Sequence, residues 1–288
     1  MNHPLFFMVL SGFFGSVMSI LVKLGGHVSF VAATFFRFTV VLGLCLCTHH
    51  ASANPSSILG KAKNRPFLLM RGLFGTVGLC GFHYSLLKLP YAEAITLQYL
   101  SPIFTIALGA AFFGQKVQWF HLLSALLSFV GVGLLVCSRS EHSGFGGVTL
   151  DHLIAILAVA SSGMGFNTIA RIKTAAPSLV IMSYLAFFTL VMSATAVINT
   201  RPSLPSLFEL TILALSGGAT FLMQLCLTKA YSMGKTSRVA LVSYFNVLYS
   251  PFIGIFFFHE SIANQGLVGI FILFMGLILP PLLSKRSV

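Results

Sequence analysis

Long apolar runs dominate this chain, and short polar or Gly/Pro breaks separate them. Read as helices, the runs fall at 5–24, 28–48, 67–87, 91–113, 118–137, 149–171, 177–198, 206–230, 237–258 and 263–284. Each is close to the ~20 residues that carry a helix across a bilayer. The turns at Gly25-Gly26-His27 and Leu89-Pro90-Tyr91 are tight, yet fusing the helices on either side would give a span too long for the hydrocarbon layer. A membrane barrel would alternate apolar and polar residues in segments of roughly 10, and no such alternation occurs. The pattern therefore predicts an all-α polytopic membrane protein with ten transmembrane helices.

Composition agrees. Of 288 residues, 57% are hydrophobic and 8% charged, with a mean hydropathy of +0.95. A soluble domain carries about 25% charged residues, so this chain has too little charge for a water-facing surface. The formal charge of +12 is spread singly or in small groups between the apolar runs. No basic face is large enough to neutralise several phosphates, which argues against nucleic acid as a partner. Instead the basic residues orient the chain. With the N-terminus inside, Lys61, Lys63, Arg65, Arg71, Lys116, Arg171, Lys173, Lys235, Arg238, Lys285 and Arg286 fall on cytoplasmic connections. Only Lys23, Lys88, Arg139 and Arg201 fall outside. That asymmetry places both termini in the cytoplasm, and the expected location is a bacterial inner membrane. His49 to Pro66 forms the longest inside loop. Met1 to Ile20 lacks a basic leader and a small-residue cleavage site, so it reads as the first membrane helix. Cys45, Cys47, Cys80, Cys137 and Cys226 show no framework spacing and are expected as free thiols.

An internal repeat adds topology. Phe112-Phe113-Gly114-Gln115-Lys116 matches Phe257-Phe258-His259-Glu260-Ser261 at a separation of 145, which also places Gly72 on Gly217 and Tyr99 on Tyr244. Ser11, Gly15 and Lys23 fall on Ser161, Gly165 and Lys173 at a separation of 150. The halves, 1–140 and 141–288, then hold five spans each. An odd number makes the second half enter from the opposite side, giving two inverted five-helix repeats about an axis in the membrane plane.

Polar groups at mid-helix depth are the candidate site, because hydrocarbon penalises them. Helix 4 offers Gln98, Tyr99 and Ser101, which the repeat places on Ser243, Tyr244 and Asn246 of helix 9. Hydrogen-bonding groups beside aromatic rings suit a polar metabolite with a planar part. The plainer alternative is hydrogen bonding between helices. His83 and Tyr84 on helix 3 and Gln224 on helix 8 form a second tier. Arg37 lies too deep in helix 2 for a plain topology signal; it either attracts a carboxylate or snorkels to the headgroups. Glu93 is the candidate acid for proton coupling, although the positive end of its own helix is reason enough for an acid there. Lys229 reads as an interfacial anchor. Cys45 and His49 are i,i+4 neighbours, but no second cluster completes a metal sphere. No acid pair, phosphate loop or nucleophile–base arrangement is present, so neither a cofactor nor catalysis is expected.

Phe35-Phe36-Arg37-Phe38, Arg65-Pro66-Phe67 with Arg71-Gly72-Leu73, and Tyr99-Leu100-Ser101-Pro102 leading to Phe112-Phe113-Gly114 resemble the EamA-domain branch of the drug/metabolite transporter superfamily. The resemblance covers nearly the whole chain. It implies a ten-helix bundle in which helices 1–4 and 6–9 enclose a central cavity, with helices 5 and 10 peripheral. The chain departs from the family pattern after helix 4, where Gly114-Gln115 replaces Gly-Glu, and after helix 9, where His259-Glu260 stands. The stretch from helix 2 to helix 4 is most similar to S-adenosylmethionine importers of intracellular bacteria; aromatic amino-acid, purine and drug exporters share the architecture. The expectation is a secondary transporter with one midplane site, driven by an exchanged solute or a coupling proton or ion. Its rivals are an exporter of the same fold, a membrane-embedded enzyme and a non-transporting assembly protein.

Overall fold

The computed structural model describes residues 3–24, 28–50, 59–89, 97–137, 149–203, 205–244, 266–272 and 274–276. Among them all regular structure is helical. The helices are α1 (Pro4–Leu24), α2 (Phe30–His50), α3 (Arg65–Lys88), α4 (Ser101–Phe113) and α5 (Trp119–Cys137). They continue with α6 (Leu150–Ile172), α7 (Ser178–Thr200), α8 (Leu207–Met233), α9 (Thr236–Val242) and α10 (Gly266–Gly276). By length and composition α1, α2, α6, α7 and α8 can each cross a membrane, while α4, α5 and α10 are shorter apolar helices over the described residues.

Local chemistry sets the helix ends. Pro66 sits in the first turn of α3, where its missing N–H costs nothing and its φ is already helical. α4 stops at Gly114, whose φ of 61° is the left-handed conformation that closes a helix. α8 opens on a capping box: the Glu209 amide donates to Ser206 Oγ at 3.3 Å and the Ser206 amide to Glu209 Oε2 at 2.7 Å. His49 and His50 finish α2 instead of starting the following loop, and His49 is buried.

Large apolar side chains point outward, among them Phe13, Leu157, Phe187, Ile198, Phe208 and Phe271. Small and hydroxyl-bearing ones, such as Ser11, Ser124, Ser128, Ser162, Ser216 and Thr220, are buried. This distribution belongs to a protein whose surroundings are lipid and whose helices meet through small residues.

Two compact units are formed, one from Met1–Thr76 with Thr168–Gly234 and one from Val77–Asn167 with Lys235–Val288. Each therefore draws on both halves of the sequence. In the first, α1 packs on α8, and α2 on α7 and α8. Two glycines set close approaches there. A Cβ on Gly72 of α3 would meet the Phe188 ring of α7, and one on Gly217 of α8 would meet Val40 Cβ of α2 at 2.7 Å. The Thr76 and Thr189 hydroxyls bond to each other at 2.9 Å beside the first of these. In the second unit α4 packs on α9 and α5. Gly78 and Gly81 of α3 approach Ser162 and Ala158 of α6, and Ser124 of α5 donates to the Gly276 carbonyl of α10.

Candidate functional site

In the second unit Tyr99 stands at a break in regular helix and Tyr244 in a 3-10 turn at the end of α9. Residues 97–98 are helical, Tyr99 and Leu100 form a turn, and α4 starts again at Ser101. Pro102 has no N–H to offer the Gln98 carbonyl, which explains the break. After α9, Ser243 and Tyr244 tighten into a 3-10 turn. The two tyrosine rings lie 6.5 Å apart between centroids and are tilted by 32°. Tyr244 is 0% exposed, and its hydroxyl has no hydrogen-bond partner among the described residues. Gln98 Oε1 is buried in the same condition. A buried polar atom left this way costs ~1–3 kcal/mol, which makes these two candidates for a site.

The other predicted residues of this unit are engaged or out of view. Ser243 Oγ donates to the Ala240 carbonyl at 2.6 Å, within its own helix. The Tyr84 hydroxyl donates to Asp151 Oδ1 at 2.8 Å, joining α3 to the first turn of α6. His83 lies on α3 one residue earlier. Glu93 and Asn246 lie outside the described residues.

Reading the sequence missed Asn167. It is 0% exposed on α6, and its Nδ2 donates to the Thr105 carbonyl at 2.8 Å and the Gly163 carbonyl at 3.0 Å. Gln115 Nε2 donates to Asn167 Oδ1 at 2.8 Å. That bond gives Gln115 a physical reason to stand where the resemblance expects Glu, since a carboxylate cannot donate. The signal was available: Asn167 lies about a turn inside its apolar run, as Arg71 does.

In the first unit the predicted residues are Arg37 and Gln224. Arg37 is 4% exposed; its Nη1 faces Met18 Sδ at 3.3 Å, and its Nε has no hydrogen-bond partner among the described residues. The side chain is folded inward and does not snorkel. Gln224 Oε1 accepts from Arg71 Nη2 at 3.3 Å. Arg71 corrects the charge reading: placed on a cytoplasmic connection, it is in fact 3% exposed on α3, with its guanidinium lying over Gly75. It sits more than a turn inside the predicted helix, which is the argument that singled out Arg37. The Thr34 and Thr228 hydroxyls are also buried without partners among the described residues. At the helix ends of this unit a cavity of about 310 Å³ is lined by Phe7, Lys173, Ala176, Pro177, Ser178, Lys229, Ser232 and Met233, with Lys229 Nζ 5.3 Å from the Phe7 ring centroid.

Cys45, Cys47, Cys80 and Cys226 are free thiols. Among the described residues no three His, Cys, Asp or Glu side chains gather as a metal site would require.

Comparison with known proteins places this arrangement. A solved crystal structure superposes with a TM-score of 0.81 over 98% of both chains at 20% identity, which shows a shared fold. A probable transport protein of Saccharomyces cerevisiae, YPL264C, is 24% identical over 90% of this chain and 82% of its own. The pseudopaline exporter CntI of Pseudomonas aeruginosa is 28% identical over 88% and 86%. An S-adenosylmethionine uptake transporter of Rickettsia bellii is 27% identical over 68% and 66%. The model of the EamA-like transporter family matches residues 3–137 and again 150–280. The chain thus belongs to the EamA-like transporter family, as a membrane transporter and not an enzyme.

Proposed function

We propose that the protein is a secondary transporter carrying a small organic metabolite across a bacterial inner membrane by alternating access. Two inverted five-helix repeats, 1–140 and 141–288, supply the ten spans, with both termini in the cytoplasm. Two separate family matches, one in each half, support that division. So does the equivalence of Gly72 and Gly217, each of which lets α3 or α8 approach a neighbouring helix. Gln98, Tyr99, Tyr244 and Asn246 line the pathway, His83, Tyr84, Ser243, Gln224 and Arg37 extend it, and Glu93 is the coupling acid.

The observation that carries the reading is the tyrosine pair. Residues related by the repeat meet at broken helix ends, with a buried hydroxyl and a buried amide oxygen left over. Broken helices beside unsatisfied polar groups are how transporters build a midplane site. Aromatic faces with hydrogen-bonding groups fit a planar, polar solute such as the adenine of S-adenosylmethionine, the substrate named for the Rickettsia relative. The exporter from Pseudomonas, matched over more of the chain, favours outward movement of a small organic solute as the second reading.

Uptake and counterflow in proteoliposomes decide between them. Labelled S-adenosylmethionine is to be measured beside a panel of amino acids and nucleosides. Saturable uptake accelerated by the same solute preloaded inside establishes the first reading. Counterflow of another solute alone replaces the substrate, and chemical conversion or silence across the panel removes the transport mechanism.

A further inference from the structure

We infer that Arg37 forms an anion site inside the first compact unit and that the site takes the carboxylate of the transported metabolite. The inference rests on the transport reading for the arrival of that ligand; the geometry is its own.

Arg37 is buried by α1, α2 and α8: Nη1 lies against Met18, and the Arg37 carbonyl is 3.1 Å from where Gly217 would carry a Cβ. A thioether sulfur is a weak acceptor and does not replace water around a guanidinium. Nε has no partner, and Arg37 makes no ion pair among the described residues. The two acids described are committed elsewhere. Asp151 accepts from Tyr84 in the second unit, and Glu209 caps the start of α8, eight residues before Gly217 and roughly 12 Å along the helix. A charge taken out of water without a counter-charge is among the most costly things a membrane helix can hold, and such residues mark sites.

The surroundings specify the ligand. Thr34 lies three residues before Arg37 on α2, so the two share a face, and its buried hydroxyl has no partner among the described residues. Both groups can donate. A carboxylate accepts from a guanidinium fork through both oxygens and has lone pairs left for the hydroxyl. A neutral solute can accept these hydrogen bonds but brings no counter-charge, and a cationic one is repelled.

Two measurements on the purified full chain test this. In the first, melting temperature without ligand is compared for wild type, Arg37→Met and Thr34→Val. An unpaired charge replaced by an apolar side chain of similar length should raise the melting temperature by a few degrees, and Thr34→Val should leave it level or raise it. A fall of several degrees in both variants would mean that the two groups hold the fold through protein partners, and would overturn the site. In the second, counterflow is compared for matched pairs that differ only in the carboxylate: tyrosine and tyramine, arginine and agmatine, S-adenosylmethionine and its decarboxylated form. Wild type should favour the acid member of its substrate pair at least tenfold, Arg37→Gln should erase the preference, and Thr34→Val should weaken it severalfold. Equal flux of both members in wild type would overturn the anion site and leave transport intact. Absence of flux for every pair counts against the transport reading, and the melting comparison then decides the anion site alone.

Discussion

The two compact units treat buried polarity in different ways. In the second, Asn167 and Gln115 satisfy one another and two backbone carbonyls, binding α6 to α4, while among the described residues the Tyr244 hydroxyl, Gln98 Oε1, His121 Nε2 and Ser128 Oγ have no hydrogen-bond partner. In the first, glycines, the Thr76–Thr189 pair and the Arg71–Gln224 bond join the helices, while the buried charge of Arg37 has no counter-charge among the described residues. Hydrocarbon offers no water to either unit, so a polar group there is satisfied by protein or waits for a visitor. On the transport reading, the satisfied groups are scaffold, and Tyr244, Gln98 and Arg37 among the open ones belong to the proposed site.

That division predicts opposite responses to substitution. The largest effect should come from Tyr244→Ala, which removes one ring of the pair: flux is expected to fall about 100-fold, an effect of the size that misplacing bound reactants produces. Normal flux in this variant and in Tyr99→Ala would remove the tyrosine pair from the pathway. Asn167→Leu should act on stability, costing about 3 kcal/mol because two carbonyls and the Gln115 amide lose their partner at once. Unfolding followed by denaturant or heat would show it, and an unchanged midpoint would mean the network is not scaffold. Gly72→Ala and Gly217→Ala should each cost ~1–3 kcal/mol by overpacking against Phe188 and Val40. The smallest stability change belongs to Tyr244→Phe. Deleting a hydroxyl without a partner should move stability by less than about 1 kcal/mol while flux still drops. Should this variant lose as much stability as Asn167→Leu, the contrast between open and satisfied groups fails.

The repeat separation aligned Tyr99 with Tyr244 before any coordinates, and the structure brings their rings together. The same separation aligned Gly72 with Gly217, whose hydrogen side chains each admit a neighbouring helix. Arg71, by contrast, groups with the loop charges in the sequence, and Asn167 has no repeat partner to mark it, yet both are buried.

By itself the sequence determined the class: a helical membrane protein, because its charge cannot cover a water-facing surface. It also marked the apolar runs and the polar residues within them. Only the tertiary structure decided which of those residues are satisfied. Arg71 reaches Gln224 across 153 residues of chain, Tyr84 reaches Asp151 across 67, and Arg37 turns inward to meet a sulfur instead of the headgroups. A soluble helix announces its inner face by an apolar stripe. A helix in lipid is apolar all round, so its inner face is known only when its neighbours are in place.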